Sequence, residues 1–80
     1  MVSLPPEPQI AALTTQARAA AAERHGRLAA IVVACPAEYD PGALATVLRG
    51  QLESVGLLGV EIVVETRPGA LRLLRMEYER

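Results

Sequence analysis

Leu28-Ala-Ala-Ile-Val-Val-Ala-Cys35 is a continuous apolar run closed by Pro36. It is far shorter than the roughly 20 residues a bilayer-spanning helix needs. Its Ile31-Val32-Val33 centre favours a β-strand covered on both faces. The rest of the chain is read outward from that strand. Upstream, Ile10, Leu13, Ala17 and Ala20/Ala21 recur at helical spacing, which predicts a helix from Gln9 to about His25, stopped by Gly26. Its apolar stripe is largely alanine, so it can approach another element closely but buries little area. Downstream, Asp40-Pro41-Gly42 opens a second helix. Asp40 suits the N-cap, and Pro41 suits the first helical position, where its missing N–H costs nothing. Leu44, Val47, Leu48, Leu52 and Val55 make its apolar face, and Gly56 closes it.

Val60 to Thr66 alternates, with Val60, Ile62 and Val64 on one face and Glu61, Val63 and Glu65 on the other, as in a half-buried strand. Pro68-Gly69 makes a turn. In residues 70–80, Leu74, Met76 and Tyr78 alternate with Arg75 and Glu77, which suits a strand; Leu71, Leu74 and Tyr78 also suit a helix. The short turn favours a hairpin strand. The predicted order is α-β-α-β-β. It implies an α+β two-layer sandwich of α/β type, ferredoxin-like, with a three-stranded sheet and two helices. Residues 1–80 read as a single domain, with 1–8 as a flexible, proline-rich lead segment.

A chain of 80 residues buries only roughly 60% of its unfolded surface and needs a supplement to its core. One cysteine rules out an internal disulfide, and His25 and Cys35 are too few for a structural metal site. The core must be aliphatic: there is no Phe or Trp, and Tyr39 and Tyr78 are the only aromatics. All 8 basic residues are arginine, so lysine chemistry is excluded. A net charge of −1 without a basic stripe or stacking aromatics argues against nucleic acid. The N-terminus lacks the pattern of a signal peptide, and no segment suits a membrane span, so the cytoplasm is the expected location.

The groups capable of chemistry have plainer readings. Cys35 ends an apolar strand with no basic partner beside it in sequence, which suits a small buried hydrophobe. His25 suits the C-terminal end of a helix, where a cation complements the dipole. Glu61 and Glu65 lie about 13 Å apart on a strand, wider than the roughly 5–9 Å that acid/base pairs use. Gly56-Leu-Leu-Gly59 follows a helix and lacks the ending of a phosphate loop. Arg67, Arg72, Arg75 and Arg80 are interleaved with Glu65, Glu77 and Glu79, as on a solvated, salt-bridged face.

Residues 24–71 resemble the C-terminal subdomain of the phenylacetate–coenzyme A ligase branch of adenylate-forming enzymes. Arg24-His-Gly-Arg-Leu28 looks like that family's Arg-x-Gly-x-Leu lead-in, followed by a valine-rich strand at Ile31-Val32-Val33. Asp40-Pro-Gly-Ala-Leu44 through Leu48-Arg49 looks like the family helix, and Gly59 to Val64 its next strand. Pro68-Gly69-Ala-Leu71 looks like its Pro-Gly-Ser/Thr-Leu turn. The family's Gly-Lys loop, whose lysine assists adenylation, has no counterpart, and neither does the large nucleotide-binding domain. Arg72 is the nearest basic residue and is no stand-in for lysine. The resemblance therefore implies a fold and an ancestry without a catalytic residue.

These readings converge on a non-catalytic interaction module with no catalytic, cofactor-binding or metal-binding residues. It is expected to form a homo-oligomer, most simply a two-fold dimer, or to dock on a larger protein, with Val63, Leu74, Met76 and Tyr78 at the interface. The alternative is a detached subdomain that completes an acyl-adenylating, acyl-CoA-forming ligase in trans.

Overall fold

The computed structural model describes residues 3–79. Its elements are α1 (Glu7–Ala22), β1 (Arg27–Cys35), α2 (Pro41–Ser54), β2 (Glu61–Thr66) and β3 (Arg72–Glu79). The α-β-α-β-β order and the α+β class are those the sequence predicts.

Local chemistry sets the ends of α2. Asp40 Oδ1 accepts from the Gly42 amide at 2.9 Å and the Ala43 amide at 3.3 Å, and Pro41 occupies the first turn. At the far end Gly56, at φ +87°, lets the Gly56 amide reach the Glu53 carbonyl at 3.0 Å and the Leu57 amide reach the Leu52 carbonyl at 2.9 Å. That pair of reversed bonds satisfies two of the carbonyls a helix end leaves open. Asp40→Ala should therefore lower stability by about 1 kcal/mol, read as a shift of the urea midpoint with unchanged slope.

The sheet order is β2-β1-β3. β1 pairs in parallel with β2, from Ala30↔Glu61 to Cys35↔Thr66, and antiparallel with β3, from Arg27↔Glu79 to Ala34↔Arg72. β3 is a strand, but the expected hairpin with β2 does not form. The linker 67–71 instead carries the chain past the end of β1, where the Arg67 amide bonds the Cys35 carbonyl at 3.0 Å. The reason is burial. A β2–β3 hairpin would leave the most apolar strand at an edge, whereas in the centre its backbone is paired on both sides.

Both helices pack on one face of the sheet. Ile31, Val33 and Cys35 of β1 meet Ile10, Leu13 and Ala17 of α1 and Leu44, Leu48 and Leu52 of α2 in one core cluster. Ile62, Val64, Leu73, Met76 and Tyr78 pack against its margins. The other face of β1 is also buried, although among the described residues no helix covers it. Its side chains are small (Ala30, Val32, Ala34) and lie between longer ones on β2 (Glu61, Val63, Glu65) and on β3 (Arg72, Arg75, Glu77). Coverage by a second layer on both faces, the reading of the apolar run, is thus replaced by coverage from the flanking strands.

The first helix starts and stops earlier than its periodicity suggested. Pro6 precedes Glu7, and the Glu23 and Arg24 amides turn tightly onto the Ala20 and Ala21 carbonyls at 3.2 and 3.3 Å. Gly26, at φ +92°, then redirects the chain into β1. Thr14 links the helices: its hydroxyl lies 2.7 Å from Gln51 Oε1 and 3.1 Å from the Ile10 carbonyl. The proline-rich segment, expected to fray over 1–8, is docked over its described part. Pro5 is buried, and the Ser3 carbonyl accepts from the Asp40 amide at 2.8 Å. Residues 1–2 and Arg80 lie outside the described residues. Among the described residues, no helix is long and apolar enough to cross a membrane.

Candidate functional site

Cys35 is buried in the core at the end of β1, with its thiol directed at the Pro36 carbonyl, 3.5 Å away. Burial pushes the thiol pKa up, and the nearby Glu38 carboxylate adds to that. Both effects favour the unreactive thiol over the nucleophilic thiolate. His25 is exposed and lies beyond the end of α1, in the turn before β1, so it does not cap the helix dipole as its sequence position suggested. Among the described residues, no three His, Cys, Asp or Glu side chains come together to hold a metal ion. Glu61 and Glu65 stand on the uncovered face of β2, and Glu65 binds Arg67 at 2.6 Å.

The four residues expected at an interface do not form one patch. Val63 is 38% exposed on β2, beside Val32 on the helix-free face. Leu74, Met76 and Tyr78 are half-buried on β3, at the opposite edge of the sheet. Those three line a groove whose other wall is α1, with Gln16, Ala20 and Arg24. The Arg24 guanidinium lies over the Tyr78 ring, 4.6 Å from its centroid, a cation–π contact that holds the ring against the strand. The Tyr78 hydroxyl is 3.7 Å from Met76 Sδ.

Comparisons with family models, curated proteins and solved structures give no match.

The groove brings three of the four expected interface residues, Leu74, Met76 and Tyr78, to an open strand edge. Among the described residues, β3 has a strand partner on one side only. A free edge offers backbone amides and carbonyls to any extended segment, and a row of apolar side chains beside it adds affinity. Sequence reasoning placed Arg75 and Glu77 on a solvated, salt-bridged face, where they pair at 3.1 Å, but gave neither them nor Arg24 a place at the interface. The signal for Arg75 and Glu77 was present in the alternation of Leu74-Arg75-Met76-Glu77-Tyr78.

Proposed function

We propose that this chain is a non-catalytic interaction module that pairs with a second copy or docks on a larger protein. The observation that carries this reading is the outer edge of β3, flanked by Leu74, Met76 and Tyr78 in the groove beside α1. Its energetics supply the motive. A chain of 80 residues with an aliphatic core gains about 25 cal/mol for every Å² of apolar surface it buries on a partner. Val63, on the far strand, offers a second and separate apolar contact. The setting we propose is the cytoplasm, with protein partners and neither nucleic acid nor membrane. Three arginines in or beside the sheet pair with glutamates, Arg27 with Glu79, Arg67 with Glu65 and Arg75 with Glu77, as on a solvated face, while Arg72 donates to the Pro68 and Ala70 carbonyls.

Light scattering over a dilution series tests self-association, and pulldown with mass spectrometry tests a larger partner. A dimer, or one reproducible partner, is expected. Leu74→Glu should abolish the contact while circular dichroism still shows both helices. A monomer at every concentration with no partner retained removes the reading.

The rival is the detached ligase subdomain. In its favour, a strand, a helix, a second strand and a Pro-Gly turn follow one another over residues 27–69 in the order the resemblance implies. With no lysine and no phosphate loop, the purified chain should show no pyrophosphate exchange with a panel of carboxylic acids. Robust exchange by the chain alone would overturn the non-catalytic reading.

A further inference from the structure

We infer that two copies join β3 to β3 across a two-fold axis at Met76, forming one continuous six-stranded sheet. This rests on the self-association proposed above and specifies its surface and register. A two-fold normal to the sheet makes the paired strands antiparallel and keeps each face of the sheet on its own side. Residues directly opposite must then share a face, so only registers centred on a residue are allowed. Centring on Arg75 sets Arg75 against its own copy, and centring on Glu77 does the same to Glu77. Centring on Met76 sets Arg75 opposite the partner's Glu77 on the helix-free face. Arg75 already binds Glu77 of its own strand at 3.1 Å. The four charges therefore alternate in sign around the axis. On the helix side the same register sets Leu74 opposite the partner's Tyr78 and Met76 opposite the partner's Met76. Two grooves, each walled by α1, then meet back to back.

The other edge does not offer this. β2 (Glu61–Thr66) carries acidic groups and no basic ones, so no register of β2 on itself opposes unlike charges. Pairing β2 of one copy with β3 of the next is head-to-tail and gives a ring or an open filament, not a two-fold dimer. The pairing runs from Leu74 to Tyr78 and stops at the bulge that separates Leu73 from Arg75 in the β1 register.

Charge-swap variants test the register. Arg75 and Glu77 are exposed, so substitution leaves the core intact. Arg75→Glu and Glu77→Arg should each raise the dimer dissociation constant at least about tenfold, because every opposed pair at the axis becomes repulsive. Mixing the two variants should restore a dimer, since glutamates on one chain then face arginines on the other. Sedimentation velocity on each variant and on the mixture reads both effects. If the unmodified chain dimerises and either variant does so equally well, or if the mixture stays monomeric, this register is wrong while self-association stands. The same holds if Val63→Glu dissolves the dimer and Arg75→Glu does not, which places the contact at β2 and not at the β3 edge. An unmodified chain that is monomeric up to millimolar concentration removes both the register and self-association.

Discussion

Leu48→Ala should lower the free energy of unfolding by about 2–5 kcal/mol. Leu48 has no exposed surface and sits at the middle of the α2 face, between Leu44 and Leu52, in the cluster that includes Ile31 and Val33 of β1. Truncation removes the transfer energy of the lost carbons and leaves a cavity, because close-packed neighbours relax only in part. A chain of 80 residues has a total stability of about 4–12 kcal/mol on the usual per-residue scale, so this change consumes a large share of it. Urea melts followed by circular dichroism would show the midpoint fall sharply or the folded baseline disappear. Leu48→Met, which nearly conserves volume, should cost less than about 1.5 kcal/mol. Equal, small effects from both substitutions would mean that this position does not fill the core.

Gly26→Ala should be the most damaging single-methyl addition in the chain. Two costs coincide at this position. The backbone is at φ +92°, where an L side chain is strained by about 1–2 kcal/mol. The added Cβ would also run into the backbone carbonyl of Glu79, at the end of β3. A backbone atom cannot swing aside as a side chain can, so the β1–β3 pairing near Arg27↔Glu79 must open. Gly56→Ala supplies the control: φ is +87°, but nothing lies within 4 Å of the new carbon. It should cost only the conformational part, and the difference between the two melting midpoints isolates the collision. Equal losses would show that β3 is not seated against the turn.

The elements whose ends are marked by their own residues were legible in the sequence. Asp40-Pro41 and Gly56 bound α2 because capping bonds join neighbours along the chain. The partner of β3 was not legible, because Pro68-Gly69 reports only that the chain turns. Which strand lies beyond the turn is decided by how much apolar backbone can be enclosed, a property of the whole sheet. The uncovered face of β1 was written in the sequence at finer grain. Ala30 and Ala34 alternate with the larger Ile31 and Cys35, so two small side chains mark the face without helices, while Val32 and Val33 at the centre are alike. In the candidate site, the apolar alternation of β3 was readable. That Val63 stands two strands away, and that α1 walls the groove, depend on contacts between distant residues.

The central position of β1 also sets the order of assembly. Its link to β2 closes through α2, while its link to β3 joins residues as far apart as 52 positions. Closing the longer loop comes late and slows folding. Until it closes, one edge of the most apolar strand stands bare, and the 67–71 linker is a hinge on which β3 can reach a neighbouring chain as readily as its own. Refolding at high protein concentration is thus expected to yield exchanged dimers in which each β3 completes the other molecule's sheet. They would be trapped by cooling and told apart from edge-paired dimers by failing to dissociate on dilution, and their fraction should rise with the concentration during refolding, not with that during storage.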